Sequence, residues 1–440
     1  MMKLATSLIP FPALYLLAAL VMVTAGLTAQ VPDTTKTTEA SAGVKVLDYS
    51  TRLNVLSEGH DGKTEWGWPR VGLIPPKTAV VLMHRSSLFG SDTVLSTHDM
   101  RTDDFGATWT QPQLQPNLGR RPFAPNPNVE FSPIDLVPAW HAASGKLLAT
   151  GHVCAYRRKG TTGEYSQISL PNFATYSVYD PAKSLWSDMS FLDLPDKEHF
   201  FCSPGGAAQR VDLPNGDILW PIYFMDRATR AAYPMSSFSV TIVRCRFDGQ
   251  KMKYIEHGDE LVMPNPRGFC EPSLTQFEGR FFLTLRNDRG AYVSVGKDGL
   301  HFEKPVPWTF DDGKPLVCRN TQQHWVTHSD GLFLVYTRSG ANNDHVLLNR
   351  APLFMAQVDP KRLCVIRSTE RILLPDKGAQ FGQFGALNAS PEETWVMDAE
   401  SMLGDAKKPF DITRTIQRGA NNRVYLCRII WSKPNRLMKP

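Results

Sequence analysis

Thr102-Asp103-Asp104-Phe105-Gly106-Ala107-Thr108-Trp109 is the most informative stretch of this chain. Gly106 allows the positive φ that a tight hairpin turn needs. Asp104 is placed to brace the turn by accepting backbone N–H groups, and Trp109 to cover the face of the sheet beside it. Looser versions recur at 177–186, 246–254, 294–302 and 357–365. A turn used repeatedly along one chain predicts a repeated β unit rather than a single irregular sheet.

Working outward, a second pattern interleaves with the first. A polar turn precedes a short apolar strand at 76–83, 144–149, 215–220, 278–283, 330–335 and 392–397. Asn215-Gly216 and Asp330-Gly331 are strong hairpin signals, whereas amphipathic helical windows are scarce. The copies lie roughly fifty to seventy residues apart, as propeller blades do. One four-stranded blade cannot bury both of its faces, and radial packing of six buries them all. The fold expected is an all-β, six-bladed β-propeller spanning 43–435. Residues 43–56 are expected to pair with 422–431 and close the ring.

The turn motif fits the Asp-box, S/T-x-D-x-G-x-T-W. With the sixfold hairpin repeat, it resembles the sialidase or BNR-repeat superfamily of six-bladed propellers. Sialidases grip a substrate carboxylate with three arginines from different blades, because a guanidinium fork binds a carboxylate bidentately. Arg70, in Trp68-Pro69-Arg70-Val71, is similar to the first of these. Glu271-Pro272-Ser273-Leu274, followed by Leu285-Arg286-Asn287, resembles the segment that supplies a catalytic Glu and the second arginine. The third is Arg338 or Arg350. Between them Gly340-Ala341-Asn342-Asn343-Asp344-His345 has the composition of a loop beside a ligand, which adds His345.

The resemblance also implies a further arginine, Arg85, and a general acid, Asp92, with Asp99 and Asp103 as rivals. Ser203-Pro204-Gly205-Gly206-Ala207-Ala208-Gln209 is similar to a family strand whose small residues leave room at the central funnel. One departure is pronounced. Where the family carries Tyr-Ser-x-Leu, with the tyrosine as nucleophile, this chain reads Phe384-Gly385-Ala386-Leu387. Tyr336 is the substitute to consider.

The first 29 residues have the layout of a cleavable signal peptide: Lys3, an apolar run at 14–23, then small residues. A Thr-rich linker follows at 30–42, and secretion or periplasmic export is expected. A net charge of +5 without basic blocks argues against nucleic acid, and no later apolar run argues for a membrane span. Seven cysteines without CxxC spacing, and histidines without HExxH spacing, exclude the common metal motifs; no cofactor is expected. The function expected is a sialidase-like glycoside hydrolase removing a terminal acidic sugar. Two alternatives stand beside it. One is a polysaccharide lyase or other propeller glycosidase, in which histidines such as His84, His98 and His152 supply acid–base chemistry. The other is a glycan-binding propeller without catalysis. Removal of Arg286 is expected to weaken acidic-sugar binding and to leave melting nearly unchanged.

Overall fold

The computed structural model describes residues 44–438, apart from short stretches at 91, 124–125, 160–163, 169–170, 233–236 and 265–266. The signal-peptide and linker expectations therefore lie outside the described residues.

The chain forms six antiparallel sheets arranged as the blades of a propeller. The apolar hairpin strands become the second strand of each blade: Thr78–Ser87, Lys146–Lys159, Asp217–Phe224, Arg280–Asn287, Gly331–Tyr336 and Glu393–Ala399. Each pairs with the inner strand before it and the third strand after it. Because side chains alternate along a strand, each second strand feeds two cores. Val81 and Met83 pack against Trp395 and Met397 of blade 6, while Val80 and Leu82 face Leu147 and Ala149 of blade 2. In blade 4, Leu283 and Leu285 face blade 3, whereas Phe282 faces blade 5. Six interfaces of this kind make up the core.

The opening turn works as its sequence implies. Asp104 accepts the Thr108 N–H at 2.9 Å and the Thr108 hydroxyl at 2.6 Å, and Thr102 Oγ1 accepts the Gly106 N–H at 2.9 Å. These bonds hold the Asp104 carboxyl down at about 2. Blades 2 to 5 use the same device between their third and fourth strands. Asp180, Asp248, Asp298 and Asp359 each accept N–H groups two and three residues on.

Blade 6 has no such hairpin, since its outer strand comes from the other end of the chain. Tyr49–Ser57 pairs antiparallel with Val424–Trp431, from Tyr49↔Trp431 to Ser57↔Val424. All seven cysteines are buried free thiols. No helix among the described residues is long and apolar enough to cross a membrane.

Where blade 6 meets blade 1, Glu65 is buried. It accepts the Met402 N–H at 2.6 Å and the Ser401 hydroxyl at 3.3 Å. Burial pushes its carboxyl up to about 7. The folded state thus holds this proton more tightly than the unfolded chain does. Its contribution is full below the unfolded carboxyl pKa and is lost as pH rises towards 7, to the extent of about 3 kcal/mol. Glu65→Gln is expected to recover most of that loss near pH 8 and to change little near pH 4. Urea denaturation at the two pH values checks it, and equal effects at both would refute the assignment.

Candidate active site

At one end of the ring the inner segments of all six blades share a backbone feature. Trp68, Asp135, Ala207, Glu271, Asn320 and Gly382 have φ of 54°, 54°, 55°, 43°, 49° and 142°. In blades 1, 2 and 4 this residue sits in a β-bulge, visible as a register shift between inner and second strands. A bulge re-aims the side chains around it.

Arg70, two residues past the first of these, is 1% exposed. Its guanidinium donates to the Gln383 carbonyl, to Asp135 Oδ1 at 2.9 Å and to Gln322 Oε1 at 3.2 Å. Glu271 forms a buried ion pair with Arg286. Arg286 Nε also donates to Asn320 Oδ1 at 3.0 Å, and Arg350 donates to the Asn320 carbonyl. Asn320 thus holds the guanidiniums of two blades side by side.

The electrostatics follow from crowding. Burial would raise the Glu271 carboxyl, but Arg286 outweighs it, and the carboxyl lies below its usual range. Burial opposes the charge on Arg286 too, yet Glu271 holds its pKa above the ordinary value. Arg350 is pulled down to about 10, first by burial and then by Arg286 beside it. The Asp135 carboxyl is raised by burial, with Arg70 opposing and Glu271 and Asp92 adding to the rise. The Asp92 charge is felt by both Asp135 and Arg350, so it lies within electrostatic reach of the cluster. Its carbonyl accepts the Tyr156 hydroxyl at 2.7 Å.

Of the residues singled out in the sequence, the structure brings together Arg70, Asp92, Glu271, Arg286 and Arg350. Arg338 is engaged elsewhere. It pairs with Glu370 at 2.5 Å and lies 4.8 Å from the Phe354 ring, and the Tyr336 hydroxyl is tied to Glu370 at 2.7 Å. Arg85 pairs with Asp61 at 3.0 Å and covers Trp66, and His345 pairs with Asp376 at 2.9 Å. Asp99 is buried against Trp186 Nε1, and Asp103 pairs with Arg101 on the surface. Phe384 is fully buried between blades 5 and 6, its ring 5.1 Å from that of His324. Sequence reasoning missed Asp135, Asn320 and Arg267, whose charge is felt by Glu271 and Arg350. The one available signal was Asp135, a lone carboxylate within the apolar run Ile134-Asp135-Leu136-Val137.

Solved structures with the same architecture include a protein of unknown function from Dyadobacter fermentans. It is 14% identical, with a TM-score of 0.58, covering 87% of this chain and 99% of that one. The Hadza microbial sialidase Hz136 gives 11% identity and a TM-score of 0.55 over 84% of this chain and 66% of its own. Trypanosoma rangeli sialidase, in complex with a difluorinated nonulosonic acid, gives 13% and 0.53 over 86% and 58%. The fold is sialidase-like. This chain spans about three-fifths to two-thirds of the length of those two sialidases. No family model and no curated protein matches. The arginine and carboxylate cluster lies where the inner segments meet, Arg70 alone reaching Asp135, Gln322 and Gln383 of three other blades. No group of His, Cys, Asp and Glu suited to a metal occurs among the described residues.

Proposed function

We propose that this protein is an exported sialidase-like glycoside hydrolase that removes a terminal carboxylate-bearing sugar from glycans. The observation that carries this reading is the pair of guanidiniums, Arg286 and Arg350, fixed on the two sides of Asn320. Two forks held in that way match a sugar carboxylate, and their low exposure strengthens the attraction. Arg70 supports the floor of the site, its own charge being met by Asp135. In this reading Asp92 protonates the departing glycosidic oxygen and Glu271 takes a proton from the attacking group.

The test is calorimetric titration with N-acetylneuraminic acid, glucuronic acid and galactose, followed by mass spectrometry of sialylated glycans after incubation. Only the two acids are expected to bind. Arg350→Ala is expected to weaken them roughly ten- to a hundredfold, the worth of a charge-assisted hydrogen bond. Equal affinity for galactose would remove the carboxylate grip. Acid binding without release of sugar would remove the hydrolytic step and leave the carboxylate grip standing.

A further inference from the structure

Blade 3 is stripped of side chains where the other blades are well furnished. Its inner segment reads Gly205-Gly206-Ala207-Ala208. A Cβ at Gly206 would lie 2.0 Å from His152 Nδ1 and 2.8 Å from the Asp135 Cβ. Glycine there is what lets the His152 ring, from the second strand of blade 2, come forward beside Asp135. The next ring is Tyr223, on the second strand of blade 3, edge-to-face with His152 at 6.3 Å between centroids. Tyr223 packs in one cluster with Cys270, the neighbour of Glu271 in the chain. A histidine and a tyrosine thus stand against the glycine segment, beside the carboxylates of blades 2 and 4.

Neither is spent on holding the fold by hydrogen bonds. His152 is 5% exposed, and its Nδ1 has no hydrogen-bond partner among the described residues. A buried polar atom left in this state normally has a use, because its desolvation is otherwise uncompensated. The hydrolytic reading uses neither residue.

We propose that the site has a further activity, β-elimination on uronic acid residues of glycan chains, with His152 as the base and Tyr223 as the acid. The proposal rests on the carboxylate grip described above but not on the hydrolytic step. Arg286 and Arg350 would hold the uronate carboxylate and stabilise the negative charge that builds on it when the adjacent carbon loses its proton. His152 takes that proton. The C–C bond next to it becomes a double bond, the C–O bond to the neighbouring sugar breaks, and the departing oxygen takes the Tyr223 proton. Solvent then returns a proton to Tyr223 and removes one from His152. No water is consumed and no oxidant or reductant is needed. Burial leaves both groups in the forms this requires. It pushes the His152 imidazole down to about 4 and the Tyr223 phenol above its ordinary value, with Glu271 adding to the latter.

The experiment uses the full chain with oligosaccharides containing glucuronate or galacturonate, read by the ultraviolet absorbance of an unsaturated uronate and by mass spectrometry. The expected product is lighter by one water than the hydrolytic one. His152→Gln and Tyr223→Phe are each expected to slow its formation at least about a hundredfold. Glucuronic acid should still bind to both variants within about threefold, a split that a merely structural role would not produce. Hydrated products alone, or variants as fast as the parent, would overturn the inference and leave the carboxylate grip standing. If no acidic sugar binds the unaltered protein, the grip itself fails, and this inference falls with it.

Discussion

Arg286→Ala is expected to destabilise the protein by about 3–5 kcal/mol as well as to abolish acidic-sugar binding. From sequence alone this is a strand-end arginine whose loss spares the fold. The structure gives the opposite expectation for stability. Arg286 is 9% exposed and is the ion-pair partner of Glu271, whose side chain is itself largely shielded. Truncation leaves the Glu271 carboxylate buried without its main partner and leaves Asn320 Oδ1 without its donor. The double change Glu271→Ala/Arg286→Ala is expected to regain most of the lost stability, since it removes the stranded charge, while sugar binding stays absent. Guanidinium denaturation of the three variants measures this. An Arg286→Ala midpoint equal to that of the parent would show that Glu271 is not held by this pair.

The second large effect concerns closure. A variant beginning at Glu58 lacks Tyr49–Ser57 and is expected to lose cooperative unfolding altogether. The deletion leaves the outer edge of the third strand of blade 6, Val424–Trp431, without a partner. It also strips Tyr49 from the faces of Phe333 and Trp431, and Leu47 from the same core. Two buried side chains of that size are worth about 3–6 kcal/mol, and the exposed strand edge becomes a template for aggregation. Near-ultraviolet circular dichroism and light scattering follow the outcome. A soluble monomer with an unchanged melting curve would show that the other sheets hold blade 6 without its outer strand.

Much of the architecture was legible because it is written locally. Asp104 and Gly106 specify a turn whatever surrounds them, and the unbroken apolar run Phe281-Phe282-Leu283 specifies a strand with two apolar faces. Even the closure of the ring was readable, because pairing the two ends of the chain removes the open sheet edges. The site was legible only in part, since its members are brought together by packing. Arg338 and Arg350 are equally polar in sequence. What separates them is Glu370, which neutralises Arg338, and Asn320, which receives Arg350. Tyr223 lies on a second strand, where a sequence pattern assigns it to the core, and His152 is one candidate among several histidines in sequence. Only the close approach of Gly206 to His152 shows why this histidine stands beside Asp135. Glu271 and Arg286 were found through the family resemblance of the hairpin they flank, and its register makes them neighbours.

The six left-handed residues around the funnel carry a consequence for how such a site can change. Five of them share a φ between 43° and 55°, with Gly382 apart at 142°, while their side chains include an indole, two carboxylates, a methyl group, an amide and a hydrogen. The framework is thus indifferent to what each position displays. It works as a ring of sockets whose contents can be exchanged where no buried ion pair depends on them, as Arg70 and Arg286 depend on Asp135 and Glu271. Gly382 is closed to such exchange, because a side chain there would press on Arg350, and Ala207 is the position that remains.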